Sequence, residues 1–181
     1  MWAVLFEVTP KADRWDEYLA LAASLRPELL KIEGFLDNRR FASRARPGTL
    51  LSLSYWRDEA ALIEWRSHGL HHDVQAAGRN HVFSDYRLRV GEVSAMAGNR
   101  SVTVVENPPP ADPPLGADWD MFDGVTIPGA TLLLVSWRDA ETMSAWKSAG
   151  DLDRTDVAVM RDYGMRDRGE APQHFPPVDL R

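Results

Sequence analysis

The stretch PGTLLSLSYWRDEAALIEWRSHG, residues 47–69, recurs as PGATLLLVSWRDAETMSAWKSAG at residues 128–150, with 10 identities in 23 positions at an offset of 81. Each copy reads as a Pro-Gly turn, an apolar strand ending in Trp-Arg-Asp, and a helix capped by that Asp. The helix carries a second tryptophan nine residues after the first. Self-similarity at a fixed offset marks an internal duplication, so one supersecondary unit is present twice.

The flanking sequence completes the unit. Ala3 to Val8 is a short apolar run stopped by Thr9-Pro10 and reads as a strand. Trp15, Tyr18, Leu19, Ala22, Leu25 and Leu29 recur at spacings of three and four, which predicts an amphipathic helix from about Arg14 to Ile32, capped by Asp13 and kinked at Pro27. Phe35 to Ala42 and Leu50 to Trp56 follow as strands, then the helix after Asp58, a histidine-rich segment and a last strand at Tyr86 to Val93. The order βαββαβ is that of a ferredoxin-like unit, whose sheet has helices on one face and leaves the other uncovered. The second copy supplies that cover, with the two sheets face to face.

The offset drifts outside the central block. Asp85-Tyr86 matches Asp162-Tyr163 at 77, whereas the first strand matches Val102 to Glu106 at 99. The difference of 18 between 99 and 81 is about five helical turns, and the intervening Asn107 to Pro114 is too proline-rich for a helix. The expected fold class is therefore α+β: two ferredoxin-like units in tandem, 1–98 and 99–181, forming a barrel-like pseudo-dimer whose second unit lacks its first helix. The boundary is expected between Ala95 and Arg100.

Composition narrows the function. The 21 Lys and Arg against 27 Asp and Glu leave a net charge of -6, which disfavours nucleic acid and anionic membranes as partners. With no cysteine there is neither a disulfide nor a thiolate site. No apolar run approaches the ~20 residues of a membrane span, and the start lacks the features of a signal peptide, so the default expectation is a cytoplasmic protein.

The Leu-rich strand ending in Trp56-Arg57-Asp58, Trp65, the run His71 to Arg79, and Asp85-Tyr86-Arg87-Leu88-Arg89-Val90 resemble the antibiotic biosynthesis monooxygenase family of dimeric α+β barrels. The resemblance implies a cofactor-free monooxygenase that oxidises a small aromatic, polyphenolic or quinone-forming substrate with O2, or else a haem-binding or haem-degrading oxygenase. A pocket protein without chemistry is the third reading. Trp56 is similar in place to the tryptophan of the quinone-forming branch, and Ser52 stands where that branch has asparagine. The haem branch's ligand histidine and first-strand asparagine fall at Gln75 and Val8, so haem is the weaker alternative.

His68, His71 and His72 cluster in the first copy and have no counterpart in the second. A neutral imidazole can accept a phenol proton near neutral pH, which makes His71 or His72 the expected base, with Trp65 shaping a dry pocket. Phe6, Trp15, Ser52, Trp56 and Tyr86 are the expected substrate wall. Packing is the competing role for both tryptophans and for Tyr86 and Tyr163. A zinc site at His68 and His72 lacks a completing carboxylate, so no metal is expected. Arg39, Arg40, Arg44 and Arg46 read as a solvated, charge-protected edge, or as the receiver of a carboxylate-bearing substrate. Arg161 to Arg168 reads as surface charge. The sequence leaves open whether the pseudo-dimer pairs into a homodimer.

Overall fold

The computed structural model describes residues 1–94, 100–109, 114–148 and 152–172. The first unit comprises strand β1 (Trp2–Pro10), helix α1 (Trp15–Leu29), strands β2 (Phe35–Ser43) and β3 (Leu50–Trp56), helices α2 (Glu59–Ser67) and α3 (Gly69–Ala77), and strand β4 (Phe83–Val93). A single π-helical turn, Gly78–Val82, joins α3 to β4. Strands β5 (Ser101–Glu106), β6 (Asp118–Gly124) and β7 (Thr131–Trp137), helix α4 (Ala140–Ser148) and strand β8 (Arg154–Gly164) follow. Among the described residues no helix lies between β5 and β6, the place of α1 in the first unit. The expected boundary falls largely on 95–99, and the middle of the proline-rich join on 110–113, both outside the described residues.

The eight strands form one closed barrel in the order β1-β3-β2-β6-β7-β5-β8-β4. Each half keeps the ferredoxin-like order, and the halves meet edge to edge: β2 pairs antiparallel with β6 at Phe41–Ser43, and β4 with β8 from Arg87 to Val93. Closure removes the free edges, so β2 is not the solvated edge read from its arginines. The inner face carries Ala3, Leu5, Phe41, Leu53, Val104, Phe122 and Leu134 from both halves in a single cluster. On β1 the alternation then turns Val4 and Phe6 outward, towards the helices.

The repeat is visible in detail. Gly48 and Gly129 both adopt positive φ, 80° and 86°, in the turns before β3 and β7, where a side chain would be strained. Asp58 accepts a hydrogen bond from the Ala61 amide at 2.9 Å, and Asp139 from the Thr142 amide at 2.7 Å. Both are helix N-caps. Asp13, by contrast, lies in a short 3-10 turn, Ala12–Arg14, and does not cap α1; Pro27 sits two residues before that helix ends.

Candidate active site

A cavity of about 220 Å³ lies between α1, α2 and α3 and the outer face of the first half of the barrel. Its wall is largely apolar, with Val4, Phe6, Leu25, Trp56, Trp65 and Leu88 facing the space.

His68 breaks the helical path between α2 and α3, with extended backbone at φ -63° and ψ 128°. The restart at Gly69 sets the phase of α3, so that His71 faces the cavity and His72 does not. The His71 ring lies nearly parallel to the Trp65 indole, 4.3 Å between centroids and 15° between planes. Its Nδ1–H donates to the Trp65 carbonyl at 2.9 Å, which leaves the lone pair on Nε2. The Gln75 amide nitrogen sits 3.3 Å from that Nε2. Burial, reinforced by the nearby His68 and His72, outweighs the Trp65 hydrogen bond and lowers the His71 pKa to about 4. The ring is therefore neutral throughout the physiological range.

Of the residues expected from the sequence, His71, Trp65, Phe6, Ser52, Trp56 and Tyr86 line the cavity. His72 does not; its side chain is 53% exposed and lies 3.7 Å from Asp73. Trp15 packs behind the wall with Tyr18 and Phe83. Trp56 is both core and wall: 2% exposed, it donates from Nε1 to Ser54 at 3.0 Å and meets Phe35 edge-on.

Several wall residues escaped the sequence reading. Asn38 on β2 donates its amide to Ser52 at 2.9 Å, so an amide reaches the spot where Ser52 had replaced one. Tyr86 accepts hydrogen bonds from Arg79 and from Arg168, the latter at 2.6 Å. Arg161, Tyr163 and Arg168 come from the second half and still line the first half's cavity. Arg161 is held there by Glu59 at 2.7 Å. Arg161 and Arg168 are thus not the surface charge their sequence suggests; the pairing of β8 with β4 brings that strand to the cavity. Of the basic hairpin, Arg39 pairs with Asp37 and Glu106, Arg44 with Asp123, and Arg46 with Glu7 and Asp120, leaving Arg40 at the cavity.

Among the described residues no group of three or more His, Asp and Glu is arranged to hold a metal ion. His68 and His72 do not converge: His68 lies 3.7 Å from Glu28, and His72 turns to Asp73. At about 220 Å³ the cavity is smaller than the ~300–1,000 Å³ of pockets for drug-sized ligands, and haem is larger than those.

Residues 1–77 match the antibiotic biosynthesis monooxygenase family. A protein of Pyricularia oryzae named jasmonate monooxygenase is 38% identical over 98% of this chain and all of its own length. This chain belongs to the antibiotic biosynthesis monooxygenase family. The activity class of the family and of that relative is monooxygenase, which requires a small-molecule substrate and O2. Solved structures overlap it more loosely. An antibiotic biosynthesis monooxygenase aligns at 19% identity over 52% of this chain and 99% of its own, with a TM-score of 0.46. A Mycobacterium tuberculosis protein aligns at 18% over 53% and 97%, with a TM-score of 0.47. No described helix of this family member is long and apolar enough to cross a membrane.

Proposed function

We propose that the first-half cavity is the oxygenation site, and that it acts without flavin, haem or metal on a small aromatic substrate that itself supplies electrons to O2. The observation that carries this is the neutral imidazole of His71, stacked on Trp65 inside an apolar wall, with Nε2 turned from its own backbone bond. A suitable substrate is an aryl ketone whose enol form is a phenol. His71 accepts a hydrogen bond from that hydroxyl, and the electron-rich ring carbon reacts with O2. Overall, one ring methylene and one O2 give one ketone carbonyl and one water: two C–H bonds are lost, one oxygen atom enters the product, the other leaves as water, and no external reductant is needed.

Magnitudes constrain the role of His71. A phenol of pKa ~10 handing a full proton to a neutral imidazole whose conjugate acid has a pKa of about 4 is uphill by about 8 kcal/mol at 1.36 kcal/mol per unit. His71 therefore accepts a hydrogen bond in the bound state and takes the proton only as the electron leaves for O2. The apolar wall limits competing water. The relative's jasmonate, a non-aromatic substrate by name, supports a small molecule rather than a polymer and sets the rival to the aromatic reading.

The test is turnover of anthrone-type ketones under ¹⁸O2 by metal-free protein. One labelled oxygen in the product and one in water is the expected outcome. No oxygen uptake across a panel of such ketones, or uptake that ends in hydrogen peroxide with unlabelled product, rejects the proposal.

A further inference from the structure

In this acidic chain the arginines generally find carboxylates: Arg39, Arg44, Arg46, Arg57, Arg87 and Arg89 all hold one. The pattern breaks where α1 faces β2. There Arg26 and Arg40 line both the cavity and an open groove that shares Ala22 and Asn38 with it, and among the described residues no carboxylate pairs with either. The groove's own acid, Asp37, is already held by Arg39 at 2.7 Å. Arg40 interacts with the Tyr18 hydroxyl, which does not neutralise it, and its Nε is buried without a hydrogen-bond partner. A buried donor left unbonded is costly, and a guanidinium fork matches a carboxylate with two parallel hydrogen bonds.

We propose that Arg40, with Arg26 as a second cation at the mouth, is the anchor for the carboxylate of an organic acid, whose apolar body extends along Phe6, Leu25 and Leu88 towards Trp65 and His71. This rests on the cavity being the substrate site and names its substrate class: small monocarboxylic acids with an apolar body. The placement is economical in charge. The anion is met at the entrance by two cations that hold no acid among the described residues, and the reacting end lies beside a neutral ring. Arg40 is thus a specificity-determining residue.

The test is binding of octanoate and of methyl octanoate to the intact protein, read by calorimetry and by quenching of tryptophan fluorescence. Octanoate is expected to bind about ten- to a hundredfold more tightly than the ester, the range for a hydrogen bond to a charged group. Arg40→Gln should abolish that preference, Arg40→Lys should restore part of it, and Arg39→Gln should keep it. Equal binding of acid and ester to the unaltered protein overturns the proposal, as does an Arg40→Gln protein that keeps the preference, or acetate binding as tightly as octanoate. The unaltered-protein comparison decides even if the Arg40 variants fail to fold. Oxygen uptake by the unaltered protein with an uncharged anthrone separates the two readings: uptake together with equal binding of acid and ester overturns the carboxylate anchor alone, and an acid preference without uptake overturns the oxygenase assignment alone.

Discussion

Stacked on Trp65 and tied through Nδ1 to its carbonyl, His71 keeps only Nε2 for chemistry, and burial keeps that nitrogen unprotonated. Its folded pKa, about 4, lies below the 6.5 of a free imidazole. The unfolded chain therefore binds the proton first as pH falls, so the contribution of this residue is complete above pH 6.5 and is lost progressively down to about pH 4. The shift corresponds to about 3 kcal/mol. Urea unfolding at intervals between pH 7 and 4 should show the slope, and His71→Phe, which keeps the stack, should flatten it; an unchanged slope would mean that other groups dominate. In catalysis, His71→Ala should lower kcat/KM for oxygen uptake ~10²- to 10⁴-fold, the usual loss for a general base, while His72→Ala should stay within about twofold. Comparable losses in the two variants would place the base elsewhere. The sequence shows two adjacent histidines as equals. What distinguishes them is the break at His68 and the restart at Gly69, which set the phase of α3 and do not follow from the spacing of the histidines.

The elements carrying the site are short, so their ends matter. Asp58→Ala removes the α2 cap and should cost about 1 kcal/mol. The matching Asp139→Ala should cost about the same, but only the first change reaches the site, because α2 carries Trp65 and its carbonyl holds His71. Thermal unfolding of both variants beside their oxygen uptake checks this, and equal activity in the two would contradict it. The duplication was legible in the residues that fix local geometry: the turn glycines, the two cap aspartates and the tryptophan pairs. The seams between halves were not, since strand-to-strand pairing is made by backbone groups common to every residue. Gly91 is the exception. At the irregular step of the β4–β8 seam, an added Cβ would stand 2.2 Å from the Ala158 carbonyl oxygen. Gly91→Ala should therefore cost about 1–3 kcal/mol, as overpacking does, and loosen this seam. Hydrogen exchange of the β4 and β8 amides gives the readout.

At the scale of the whole molecule, the two halves have divided their roles. The second completes the barrel and lends Arg161, Tyr163 and Arg168 to the cavity of the first, whose helices complete the wall. Residues 1–98 expressed alone should expose the apolar face that carries Ala3, Leu5 and Leu53, together with the β2 and β4 edges, and should aggregate or dimerise; light scattering that finds a stable monomer would contradict the barrel account. The tandem ferredoxin-like plan followed from the offsets of 81, 77 and 99. The contribution of the second half to the site did not, because Arg161 and Arg168 alternate with other charges like any surface strand. The equivalent tryptophans expose the division most directly. Trp65 positions His71, whereas Trp146 packs against Trp137 at 5.3 Å in the second half's own cluster. The decisive measurement is kcat/KM for oxygen uptake in folded Trp65→Phe and Trp146→Phe proteins. The expected result is a loss approaching ~10²-fold in the first, the scale of a misplaced catalytic group, with little change in the second; equal losses, or a loss confined to Trp146→Phe, would contradict a reaction site in the first-half cavity.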